Sequence, residues 1–127
     1  AGARLGYIVS QRDNIQTLKI AKTPYSVSSV TQALGIEALK MDQRIFKTIE
    51  DIKATRTSTY LSLKKMLQDV YPSYGNFLYV YETRVNLYEA LLLKGIKIRS
   101  YQNGYYRITI GTKEEMAQLI VAIKELL

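Results

Sequence analysis

Gly95-Ile-Lys-Ile-Arg99-Ser-Tyr-Gln-Asn-Gly104-Tyr-Tyr-Arg107-Ile-Thr-Ile-Gly111 is the stretch on which the fold depends. Asn103-Gly104 marks a turn, β-branched and aromatic residues fill both arms, and Gly95 closes the leucine-rich segment before it. The stretch therefore reads as a β-hairpin. Loop length decides where its two arginines point. A two-residue Asn103-Gly104 turn sets Arg99 against Ile108 and Arg107 against Ser100, on opposite faces. A three-residue Gln102-Asn103-Gly104 loop, with Gly104 left-handed in a G1 bulge, sets Tyr101 against Tyr105 and Arg99 against Arg107 on one face. Directly opposed like charges cost a few tenths to about 1 kcal/mol. An anion shared by both guanidinium groups would offset that cost, and phosphate or carboxylate matches the guanidinium fork best. Two solvated strand arginines are the alternative.

Working outward, Thr112-Lys113-Glu114-Glu115 is a Thr-x-x-Glu capping box. It opens a helix whose apolar stripe is Met116, Leu119, Ile120, Ile123, Leu126 and Leu127. On the other side, Thr83 is placed to cap a helix over 84–94 with Val85, Tyr88, Leu91 and Leu92 on one face and Gly95 as its stop. Before it, 76–81 alternates Phe77, Tyr79 and Tyr81 with Leu78 and Val80, a strand apolar enough on both faces to be covered. Ile45, Ile49, Ile52, Tyr60, Leu63, Leu67 and Val70 recur every three or four residues, which predicts one long helix from Asp42 to about Val70. Its middle, with Thr55, Thr57, Ser58 and Thr59, favours a kink or a change of packing partner. A helix from Ser28 or Ser29 to Leu39 precedes it, with Gly35 at a close contact. Another, capped by Asp13, runs to about Lys22 before Pro24. Arg4 to Ser10 reads as a short buried strand.

The fold class expected is α+β: a small antiparallel or mixed sheet of about three strands with helices on one face, preceded by a long helix and an orphan strand. The chain of 127 residues is 47% hydrophobic and 23% charged, enough for a real core. It has no cysteine and no histidine, which removes disulfides, thiolate or imidazole metal sites and histidine-based catalysis. The net charge of +7 is dispersed, with Lys64-Lys65 its densest group. That dispersal argues against nucleic acid as a partner. The eleven tyrosines are explained by core and interface packing. No apolar run approaches a membrane span, and a cytoplasmic location is expected.

The ordered motifs resemble the histidinol-phosphate aminotransferases and their relatives among pyridoxal-phosphate enzymes of the aspartate-aminotransferase fold. The motifs are Ala1-Gly2-Ala3-Arg4-Leu5-Gly6-Tyr7, Pro24-Tyr25-Ser26-Val27-Ser28, Pro72-Ser73-Tyr74-Gly75-Asn76-Phe77, Gly95-Ile96-x-Ile98-Arg99, and Tyr106-Arg107-Ile108-Thr109-Ile110-Gly111-Thr112. The resemblance implies that Arg4 contacts the phosphate of pyridoxal 5'-phosphate. It implies that Arg107 meets the α-carboxylate of glutamate and the phosphate of histidinol phosphate, with Arg99 assisting, and that Asn76 shapes a turn. It places the cofactor lysine a few residues before Ala1, so no catalytic residue is expected in this chain, and the chain alone is expected to be inactive. Residues 1–40 would be the end of the large cofactor-binding domain and 41–127 the carboxyl-terminal small domain of a homodimeric parent. The partners implied are a phosphorylated amino-acid-like molecule and glutamate or 2-oxoglutarate. Threonine-phosphate decarboxylase and aromatic aminotransferases share the fold and parts of these motifs. A free-standing basic anion-binding module is the alternative from another class.

Overall fold

The computed structural model describes residues 2–127, so Ala1, the first residue of the Ala-Gly-Ala-Arg segment, lies outside the described residues. The chain divides into two compact units, residues 1–46 and 47–127.

In the first unit, α1 (Arg12–Ala21) and α2 (Ser29–Leu39) are followed by the start of α3 (Asp42–Leu63). Helix α1 begins one residue before Asp13. Gln11 is its N-cap and makes no side-chain cap bond, so Asp13 acts from the first turn, where a negative charge meets the positive helix end. Ser28 caps α2 by accepting the Thr31 amide at 3.1 Å. The Leu5 side chain occupies the space that a Gly35 Cβ would need, which explains the glycine. The expected buried strand over residues 4–10 is absent: Tyr7, Ile8 and Val9 are exposed and the segment makes no ladder. A strand forms only where another satisfies its backbone groups, and none of the described strands pairs with it. No side chain among residues 2–46 is buried.

Helix α3 is unbroken through its threonine-rich middle. Thr57 Oγ1 donates to the Lys53 carbonyl at 3.0 Å and Ser58 Oγ to the Thr55 carbonyl at 2.9 Å, so these hydroxyls are satisfied within the helix rather than by breaking it. Burial in α3 starts in that region, with Thr55, and continues with Thr59 and Leu63. The helix ends at Leu63 rather than near Val70, and β1 (Asp69–Tyr71) follows a turn at 64–68. Val70 continues the helical spacing by coincidence while serving as the buried residue of a strand.

The remaining elements are β2 (Phe77–Tyr81), α4 (Leu87–Leu93), β3 (Arg99–Ser100), β4 (Tyr105–Thr109) and α5 (Lys113–Lys124). All pairings are antiparallel and the sheet order is β1-β2-β4-β3, four strands where about three were expected. The extra one is β1. Helix α4 starts at Leu87 with Asn86 as its cap, not at Arg84 after Thr83. Thr83 and Arg84 are instead bound to Gln68 and Glu82, which keeps them out of a helical turn. Leu87 and Leu91 are its buried positions, whereas Leu92 is exposed. Its end is a Schellman motif: Gly95 at φ 76° lets the Ile96 amide reach the Leu91 carbonyl at 2.9 Å.

One face of the sheet, formed by Val70, Leu78, Val80, Tyr106 and Ile108, is buried with Leu63, Leu87, Leu91, Met116, Leu119 and Ile123. The other face, with Phe77, Tyr79, Tyr81, Tyr105 and Arg107, is half-buried, so β2 is covered on one face only. Helix α5 carries the capping box in full: Thr112 Oγ1 accepts the Glu115 amide at 3.2 Å and the Glu115 carboxylate accepts the Thr112 amide at 2.7 Å. Replacing Thr112 with alanine is expected to destabilise the chain by about 1 kcal/mol, read as a lower urea midpoint at unchanged slope.

Candidate functional site

The hairpin adopts the three-residue loop. Arg99 opposes Arg107, Ser100 opposes Tyr106, and the Tyr101 amide donates to the Tyr105 carbonyl at 2.8 Å. Asn103 (φ 61°) and Gly104 (φ 79°) are both left-handed, so the turn dipeptide bends the chain at two successive residues. The tip is docked. The Glu82 amide donates to the Gly104 carbonyl at 2.9 Å, and a Cβ on Gly104 would lie 2.9 Å from the Glu82 carbonyl oxygen.

Because Tyr71 opposes Tyr79 and Tyr79 opposes Arg107, one row across the half-buried face reads Tyr71, Tyr79, Arg107, Arg99. The Arg107 guanidinium lies 4.2 Å from the centre of the Phe77 ring, a cation–π contact. Its Nε is buried and has no hydrogen-bond partner. Arg99 is exposed, and neither arginine is in an ion pair. The two cations thus stand side by side with no carboxylate between them. Tyr79 packs on Tyr71, Tyr101 and Tyr105 with ring centres 5.9, 5.7 and 5.4 Å away. The Tyr71 hydroxyl is pushed above the usual phenol range by its hydrogen bond with Tyr105, and burial adds to this. This floor of rings lowers the local dielectric beside the guanidinium of Arg107, which strengthens any anion contact made there.

Arg4 belongs to the other unit. It has φ 54°, is exposed, and makes no hydrogen bond or ion pair among the described residues. Asn76 sits at the entry to β2, where its carbonyl accepts the Ile110 amide at 2.9 Å. Among the described residues no group of histidine, cysteine, aspartate or glutamate side chains is arranged to hold a metal ion, and no helix is long and apolar enough to cross a membrane.

One set of residues escaped the sequence reading. Glu82 has no exposed surface. Its carboxylate accepts the Arg84 amide and Arg84 Nε, both at 2.9 Å, and the Gln68 amide at 3.3 Å. Arg84 also donates to the Met66 carbonyl at 2.7 Å, and Gln68 Oε1 accepts the Thr83 amide at 2.7 Å. These bonds tie the turn after α3 to the segment on which the hairpin tip rests. The signal available in sequence was a carboxylate closing an apolar strand two residues before an arginine.

Residues 1–123 match the family model described as aminotransferase class I and II. The chain is 35% identical over its whole length to the histidinol-phosphate aminotransferase of Sulfurisphaera tokodaii, of which it covers 35%. It is 34% identical over 98% of its length to that of Brachyspira hyodysenteriae, of which it covers 38%. Among solved structures, the histidinol-phosphate aminotransferase of Clostridium acetobutylicum superposes with a TM-score of 0.75 at 20% identity, over 91% of this chain and 38% of that one. A decarboxylase from Sulfurospirillum multivorans gives 0.71 at 20% identity, over 91% of this chain and 36% of that one. At such identity these two report the fold alone. The chain therefore spans little more than a third of the length of these relatives. With the family model matched along nearly all of it, the chain belongs to the class I and II aminotransferases.

Proposed function

We propose that these 127 residues are the carboxyl-terminal part of a pyridoxal-phosphate-dependent aminotransferase that moves an amino group between L-histidinol phosphate and 2-oxoglutarate. The observation that carries the reading is the opposition of Arg99 and Arg107, two cations without ion-pair partners on a half-buried aromatic face. Planar guanidinium forks bind carboxylate and phosphate alike through paired N–H donors. The same two residues therefore accept the α-carboxylate of glutamate in one half-reaction and the phosphate of histidinol phosphate in the other. Arg107 is the main contact and Arg99 assists.

For the cofactor, the chain offers Arg4. Its exposed guanidinium, free of hydrogen bonds among the described residues, has the donor chemistry a phosphate oxygen needs. Pyridoxal 5'-phosphate, when bound, supplies the electron sink that makes amino-group exchange feasible. The lysine that holds it and the groups around its ring would come from the part of the relatives' length that this chain does not span. On this reading residues 1–40 end the large domain, 41–127 form the small one, the parent is a cytoplasmic homodimer, and the chain by itself binds anions without transaminating.

The test is an assay of the full-length protein with L-histidinol phosphate and 2-oxoglutarate, run beside the 127-residue chain. Glutamate formation by the former and none by the latter is expected. Carbon dioxide released from threonine phosphate, or a preference for aromatic amino acids over histidinol phosphate, would overturn the substrate assignment.

A further inference from the structure

Arg107 and Phe77 stand on adjacent strands but not opposite one another: Phe77 opposes Thr109, and Arg107 opposes Tyr79. Diagonal neighbours of this kind are within reach of an aromatic ring and a long side chain. They use it, since the guanidinium carbon lies 4.2 Å from the ring centre. The ring itself packs on Gly75. A Cβ on Gly75 would lie 2.9 Å from Phe77 Cε1 and 3.2 Å from Cδ1, so the ring fills the space that any other residue at 75 would take. Gly75 is fixed by Arg56, which donates to its carbonyl at 2.7 Å, and by Ser73 Oγ, which accepts its amide at 3.1 Å. The Asn76 carbonyl, between them, accepts the Ile110 amide at 2.9 Å.

A guanidinium has two edges that accept a two-oxygen anion, one through Nε and a terminal nitrogen, the other through the two terminal nitrogens. In Arg107 the first edge is closed, because Nε is buried and has no partner. Neither terminal nitrogen of Arg107 is at once buried and unbonded, and neither makes a hydrogen bond among the described residues, so both reach the surface. We infer that Phe77, seated on the Gly75 that Arg56 fixes, is a positioning residue that turns the Arg107 guanidinium so that its two terminal nitrogens meet the anion end-on. This deepens the reading of Arg107 proposed above and rests on it. Phe77 contributes no donor of its own. It holds a flexible side chain in one pose, so that fewer rotamers are lost when the anion arrives.

The experiment uses the 15N-labelled 127-residue chain, inorganic phosphate as the probe, and the exchange rate of the Arg107 Nε proton as the readout. In the wild type that proton is expected to exchange slowly, well behind the corresponding proton of exposed Arg99. Phe77→Leu is expected to speed its exchange at least tenfold and to weaken phosphate binding about twofold to thirtyfold, the range a cation–π contact covers. Phe77→Tyr, which keeps the ring, is expected to restore both. Should Phe77→Leu fail to fold, Gly75→Ala displaces the ring without removing it and is expected to shift both readouts the same way. Equal exchange rates at Arg99 and Arg107 in the wild type would overturn the inference. So would a Phe77→Leu protein that melts lower while keeping slow exchange and full phosphate affinity, because the ring would then be packing only. A wild type that ignores phosphate yet shows slow, ring-dependent exchange would sink the anion reading and leave the orientation standing.

Discussion

Arg107→Gln in the full-length protein is expected to lower kcat/KM for both amino donor and acceptor by a factor on the order of 100 to 10,000. Each hydrogen bond from a charged donor contributes about 1.5–3 kcal/mol, a bidentate contact holds two, and every 1.4 kcal/mol is tenfold. Arg107→Lys is expected to recover little of this, because an ammonium keeps the charge but loses the planar fork. Stability is expected to behave in the opposite way. Removing Arg107 relieves its repulsion of Arg99 and removes a buried Nε that has no partner. Against these gains stand the contact with Phe77 and the packing of a half-buried stem, part of which glutamine keeps. The melting temperature of the glutamine variant should thus equal or exceed that of the wild type. Loss of activity together with loss of fold would refute a role in binding.

The second large effect concerns Glu82. Glu82→Ala is expected to cost about 1–3 kcal/mol, the penalty for stripping partly buried donors of their acceptor; the Arg84 side chain is half exposed, so no unpaired charge is left buried. Arg84 would retain only its bond to the Met66 carbonyl, and the Gln68 amide would lose its acceptor. The pH dependence gives an independent check through Glu82→Gln. Hydrogen bonds from Arg84 hold the Glu82 carboxyl below the usual carboxylate range, and outweigh the burial that pushes it up. A group whose pKa is depressed by folding stabilises fully above its unfolded value, about 4.3 for glutamate. It loses that contribution as pH falls through the folded value. The gap in urea midpoint between wild type and Glu82→Gln should therefore be constant from neutrality to about pH 5 and close below about pH 4. A gap independent of pH would mean that the carboxylate charge is not what the glutamine removes.

How much of this was legible in sequence follows from which forces act locally. The register of the arginine hairpin was one of two readings fixed by loop length, and the Arg99–Arg107 pairing selects the three-residue loop. The capping box of α5 was explicit because both partners lie within four residues. Three features were hidden because their causes lie far along the chain. Val70 continues a helical spacing, yet it pairs with Val80. Thr83 has the chemistry of a cap, yet its amide and hydroxyl are engaged by Gln68, fifteen positions away. Leu5, Tyr7, Ile8 and Val9 have the composition of a strand, but composition cannot provide the ladder that a strand requires. For Arg4, only the family resemblance raised a role, since its local sequence says no more than that an arginine follows a small-residue turn.

All of the buried side chains among the described residues lie in the 47–127 unit, from Thr55 to Ile123. Denaturant slope and heat-capacity change both scale with the surface that unfolding uncovers. Cooperative melting of this chain is accordingly the melting of its second unit, with a slope and heat capacity suited to about 80 residues. The apolar side chains of residues 2–46 are exposed or half-buried before the transition begins, and so lend it less of their hydration heat capacity than a packed core would.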